Sequence, residues 1–111
     1  MIETTVLNYL GTSLAVPCYM EMPEDPSGSF VVIEKTGSSV TNRITKATFA
    51  IQSYAPSLAE AADLNELVKE AMDAMVELDS ISKTELNSDY NYTDTAMKAY
   101  RYQAVYVITH Y

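Results

Sequence analysis

Apolar positions near the start of the chain recur every three or four residues. Ile2, Val6, Tyr9, Leu10 and Leu14 predict a helix over 2–14, with Gly11 weakening its last turn. "PCYME" (17–21) reads as a short strand at a sheet edge, where nearby prolines are tolerated. "SFVVIEKT" (29–36) is rich in β-formers, and its unbroken run Phe30–Ile33 predicts burial on both faces. "NRITKATFAIQSYA" (42–55) alternates instead. Thr45, Ala47, Phe49, Ile51 and Ser53 fall on one side; Ile44, Lys46, Thr48, Ala50, Gln52 and Tyr54 fall on the other. The intervening "GSSVTN" (37–42) predicts a polar loop closing an antiparallel hairpin.

The strongest element follows. Ser57 with Glu60 three residues later forms a capping box, opening a helix that the pattern carries to about Leu78. Leu64, Leu67, Val68, Ala71, Met75 and Leu78 make its apolar stripe. Opposite them Asp63, Glu66, Glu70, Asp73 and Glu77 stack as an acidic stripe, relieved mainly by Lys69. Residues 81–93 read as a strand or extended arm, and about 97–111 as a closing strand. The order α-β-β-α-β-β predicts an α+β two-layer sandwich. Its mostly antiparallel sheet has four to five strands, with one long and one short helix on one face.

The closing segment "YRYQAVYVITHY" changes the picture, because neither of its faces is plainly polar. Tyr102, Tyr106 and Ile108 are the more core-like set. Arg101, Gln103 and Val105 are the expected contact face for a partner. Six of the nine tyrosines lie between residues 90 and 111, and tyrosine favours protein interfaces.

At 111 residues the chain is expected to form one domain, 1–111, and its composition is that of an ordinary globular protein. No run approaches the roughly 18 apolar residues of a membrane span. The first ten residues lack the basic region of a secretory signal. The single cysteine, Cys18, fits a reducing cytoplasm. A net charge of −8 argues against binding to the phosphate backbone of nucleic acid. The tyrosines lack the basic groove that base stacking requires.

Catalytic chemistry finds no address. The three glycines form no phosphate-binding loop, and zinc ligands are lacking. Spacing alone leaves a Cys18–His110 nucleophile pair open, but nothing local marks either residue as activated. "DYNYTD" (89–94) starts like a calcium loop and fails at its sixth position, Asp94, and its twelfth, Tyr100, so it reads as a polar turn. The expectation is a non-enzyme without metal or cofactor.

The segments "SFVVIEKTG", "ATFAIQSYAPSLAEAADLNELVKEAMDAM" and "YRYQAVYVITHY", in that order within residues 2–111, carry a resemblance. They resemble the tail-terminator, or tail-completion, proteins of long-tailed bacteriophages and related prophages. The resemblance implies a virion structural protein made in the bacterial host cytoplasm. It implies a homo-oligomeric, six-fold ring that caps the head-proximal end of the tail tube. Its partners would be the major tail tube protein and the head–tail connector, with DNA passing through the lumen without specific binding. The family brings no catalytic residues. In such a ring the stripe Asp63, Glu66, Glu70, Asp73 and Glu77 would repel DNA from the lumen or sit on the outer rim. The loops at 23–28 and 37–42 would meet tube and connector. Head-completion or head–tail joining proteins share this size and topology. A small cytosolic dimeric binding module is the alternative from a different class.

Overall fold

The computed structural model describes residues 1–24, 27–96 and 99–111. Its elements are α1 (Ile2–Ser13), β1 (Cys18–Tyr19), β2 (Phe30–Thr41), β3 (Ile44–Ala55), α2 (Leu58–Ala74), a 3-10 turn (Met75–Glu77), β4 (Ile81–Asn91) and β5 (Tyr100–His110). The strands make one sheet in the order β1-β2-β3-β5-β4. β1 runs parallel to β2, and the other three pairings are antiparallel. Both helices pack on one face of this sheet, giving an α+β two-layer sandwich.

The strand alternation decides which face is which. Val31 and Ile33 of β2, Ala47, Phe49 and Ile51 of β3, and Ala104, Tyr106 and Ile108 of β5 all turn toward the helices. Val6 and Leu10 of α1 meet them, together with Leu64, Val68, Met72 and Met75 from α2 and its 3-10 extension. Each fully buried Val, Leu, Ile, Phe or Met side chain of this set contributes about 1.5–3 kcal/mol through removal from water. Tyr106 and Ile108 therefore belong to the core, with Tyr102 half-buried beside them.

α2 begins where its capping box places it. The Ser57 side chain accepts a hydrogen bond from the Glu60 amide (3.2 Å) and donates one to the Glu60 carboxylate (2.9 Å). Its end is earlier than the pattern suggested: the α-helix stops at Ala74 and tightens into the 3-10 turn. Leu67, expected in the apolar stripe, is 52% exposed. Ala61, Asn65 and Met72 occupy buried positions instead, because the row that meets the sheet is rotated away from Leu67.

The hairpin between β2 and β3 also departs from expectation. Residues 37–41 are strand, not loop: Gly37 pairs with Thr48, Ser39 with Lys46, and Thr41 with Ile44. A bulge between Lys35 and Gly37 absorbs the irregularity. The chain reverses only at Asn42 and Arg43, with φ of 51° and 66°. Successive left-handed residues in a two-residue connection fit the strand twist. Residues 34–44 of this hairpin are all exposed, on a molecule measuring 44 × 25 × 24 Å. The loop at 23–28 includes Asp25 and Pro26, which lie outside the described residues.

Candidate functional site

The helix-free side of the sheet is where the closing strand sends Arg101, Gln103 and Val105. Register sets their neighbours: Arg101 opposes Tyr54, Gln103 lies between Gln52 and Tyr90, and Val105 lies between Ala50 and Ser88. These side chains cover one another. The Phe30 ring stacks on Tyr54 at 4.7 Å between centroids, and Tyr19 meets Phe30 edge-on at 6.1 Å. The Arg101 guanidinium lies 4.4 Å from the Tyr92 ring centre and 5.7 Å from that of Tyr54. Tyr92 in turn meets Tyr90 edge-on at 5.8 Å. One row, Tyr19–Phe30–Tyr54–Arg101–Tyr92–Tyr90, therefore crosses the whole sheet from β1 to β4.

A chain of hydrogen bonds runs through the same row. Arg101 Nη1 donates to Tyr54 Oη (2.8 Å), and Tyr54 donates to Gln52 Oε1 (3.1 Å). Gln52 Nε2 donates to Gln103 Oε1 (2.9 Å), and Gln103 Nε2 donates to Tyr90 Oη. Every donor points the same way, an arrangement in which neighbouring bonds polarise and strengthen one another. Arg101 is further fixed by its Nε, which donates to the Tyr92 carbonyl (2.6 Å). Gln103 is only 9% exposed. Arg101 and Gln103 are thus bound within the chain, and what the face presents outward is chiefly the exposed Tyr19, Tyr90 and Tyr92.

On the helical side, Asp63, Glu66, Glu70, Asp73 and Glu77 are all exposed. They do not form a uniform stripe. Glu66 pairs with Lys69 at 2.8 Å, and Asp73 accepts the Tyr106 hydroxyl at 3.0 Å. Burial and the nearby Asp73 carboxylate push the Tyr106 hydroxyl pKa up, so it stays a donor. Among the described residues no ion pair forms at Asp63, Glu70 or Glu77.

β4 is clamped to α2 through Asp89. Its carboxylate accepts from Asn65 Nδ2 and Lys69 Nζ, each at 2.6 Å. Partial burial opposes the charge on Asp89, yet the Lys69 ammonium and the Asn65 amide outweigh it and hold the carboxyl below its usual range. The same contacts, first to Asp89 and then to Glu66, push Lys69 up to about 12.

The other sequence candidates are kept apart or structurally engaged. Cys18 sits level with Val31, which faces Ser53, whereas His110 faces Thr45. Eight residues of β3 separate those levels, roughly 26 Å at strand rise. Burial raises the Cys18 thiol pKa, which suits a small apolar side chain and not a nucleophile. In "DYNYTD", Asp89 serves the α2 clamp, Asn91 Oδ1 accepts from the Thr93 amide, and Asp94 Oδ1 accepts from the Ala96 amide. Among the described residues no cluster of His, Cys, Asp and Glu is arranged to hold a metal ion, and no helix is long and apolar enough to cross a membrane.

Sequence reasoning missed Tyr19, Phe30 and Tyr54 as members of the aromatic row, and Gln52 as a link in its hydrogen-bond chain. The density of tyrosine after residue 90 was the available signal, but it marks only the β4–β5 end. Neither a family model nor a curated protein matches the chain.

Proposed function

We propose that this chain is a structural protein of a phage or prophage virion. As a ring it caps the head-proximal end of the tail tube and joins that end to the head connector. One observation supports this reading above the others: the helix-free sheet face is a fully built surface. Its aromatic row and hydrogen-bond chain hold a rigid, tyrosine-bearing plane over all five strands. Rigid aromatic planes suit tight protein contacts, because little side-chain freedom is lost on docking. In a small domain such a plane serves a neighbouring subunit or the tube better than it serves a small ligand. The resemblance of the sequence to tail-terminator proteins points to the same use.

The charge fits the same role. An exposed acidic helix face on a chain of net charge −8 repels phosphate, so a genome slides past it. Replacing Glu66, Asp73 and Glu77 with Lys is then expected to slow DNA ejection; unchanged ejection would place this face on the outer rim.

The direct experiment mixes the purified protein with tail tubes, and separately with filled heads, of the same phage. Binding to one end of the tubes and arrest of their growth is the expected result. Binding to heads alone would make the protein a head-completion protein. A stable dimer that binds neither would replace the proposal with a small binding module.

A further inference from the structure

The end of the β2–β3 hairpin is exposed: Val40 is 68% and Ile44 50% accessible. Its chemistry differs from the rest of the chain. Between Thr36 and Ala59 there is no Asp or Glu, while Arg43 and Lys46 flank Ile44. An exposed apolar tip carrying two cations stands on a molecule that is otherwise strongly acidic.

The complementary feature lies on the helical side. An open groove of about 500 Å³ lies between α1 and α2, lined among others by Tyr9, Leu14, Leu67, Glu70, Ala71 and Ala74. Leu67 is exposed because it borders this groove and not the sheet. Asp63, Leu67 and Glu70 follow one line along α2, at the i, i+4, i+7 spacing that shares a helix face. Leu67 and Glu70 thus line the groove, and Asp63 stands one turn before Leu67 on the same helix face. The hairpin reads cation–apolar–cation.

Asp63 and Glu70 are seven helical residues apart, about 10 Å along the axis. Arg43 stands in the turn, with φ of 66°, and Lys46 lies on β3 just beyond it, so both cations sit at the end of the hairpin. From these observations we infer that the hairpin tip of one copy seats in the α1–α2 groove of a second copy. Ile44 meets Leu67, and Arg43 and Lys46 pair with the carboxylates of Asp63 and Glu70.

Hairpin and groove are different surfaces, so the contact is head-to-tail. Repeated from copy to copy, it builds a ring if the rotation closes and a filament if it does not. It also divides four acids of α2. Asp63 and Glu70 serve the subunit contact, while Glu66 and Asp73 turn toward Lys69 and Tyr106. The inference goes beyond the tail-capping reading and needs only copies of this chain, so either can fail without the other.

The test is a charge exchange read by analytical ultracentrifugation at low salt, with folding of each variant checked by circular dichroism. The wild-type chain self-associates, and the association weakens as the screening length falls from about 10 Å at 0.1 M to about 3 Å at 1 M salt. The double variant Arg43→Asp/Lys46→Glu weakens the association constant at least tenfold, as does Asp63→Lys/Glu70→Lys, because each sets like charges face to face. Asp is chosen at position 43 because it tolerates a positive φ. Mixing the two double variants restores association, since each hairpin then finds a groove of opposite charge. Arg43→Gly, which suits the turn and removes one cation, weakens association without loss of fold.

Three results would overturn the inference. One is a wild-type chain that stays monomeric at low salt up to the highest soluble concentration. Another is a pair of variants that associate as the wild type does, or that fail to restore association on mixing. The third is a hairpin variant that loses affinity for a DNA duplex while its self-association is unchanged.

Discussion

Arg43 is the residue most at odds with its backbone. It holds a φ of 66° at the second position of a two-residue turn, where Asn-Gly is strongly preferred over Asn-Arg. A Cβ-bearing side chain there stores local strain, so Arg43→Gly is expected to stabilise the fold by about 0.5–1 kcal/mol. Chemical denaturation of the two proteins checks this, and a lower midpoint for Arg43→Gly would show that the arginine side chain contributes more than its conformation costs. Keeping an unfavourable residue at an exposed tip is understandable if the cation is used, as the contact inferred for the hairpin requires. Asp89 is the opposite case, a residue whose partners favour it. Its carboxyl is held below the usual range by Lys69 and Asn65, so it stabilises the fold above the unfolded value of about 3.9, and this stabilisation is lost as pH falls through the lower folded value. Asp89→Asn should cost about 1 kcal/mol at pH 7, discounted for the part-exposed pair. The gap from wild type should close as pH falls below about 4. A gap that persists unchanged to pH 2 would mean that the clamp acts through shape and not charge.

The elements differ in how far their sequence declared them. The capping box at Ser57 and Glu60 was legible because its hydrogen bonds are local: two side chains three residues apart satisfy the first turn of α2 on their own. Ser57→Ala should therefore cost about 1 kcal/mol by thermal or chemical denaturation, whatever the rest of the chain does. The alternation of β3 and β5 was legible for a similar reason, since the side-chain period of a strand is fixed. The hairpin was not. "GSSVTN" has the composition of a loop, yet its backbone finds ladder partners in Ala47, Lys46 and Thr45, and cross-strand pairing overrides composition. The aromatic row was the least legible feature. Tyr19, Phe30, Tyr54, Arg101, Tyr92 and Tyr90 come from all parts of the chain, and only the register of four pairings brings them into one line. That line changes what a substitution at Arg101 means. Arg101→Glu removes hydrogen bonds to Tyr54 and the Tyr92 carbonyl and the contact with two rings. It should destabilise the isolated subunit by about 1–3 kcal/mol and so cannot serve as a clean probe of assembly. Val105 is the better probe: it is half-buried, has no polar partner to lose, and faces the same side.

For the molecule as a whole, the two faces of the sandwich differ. The helical face is acidic and grooved, and under the inferred contact it receives the hairpin of a second copy. The open sheet face is aromatic, and under the proposed function it meets a different partner, the tail tube. A ring built through the first contact would present six copies of the second. The central claim is that this ring ends a tail tube, and electron microscopy tests it most directly. Tubes are polymerised from the tube protein of the same genome with and without this chain, and their ends are imaged. The account predicts a closed six-fold ring at a single end of each tube and no further growth there. Tubes that stay bare at both ends and lengthen at an unchanged rate, with this protein left in solution, would contradict it.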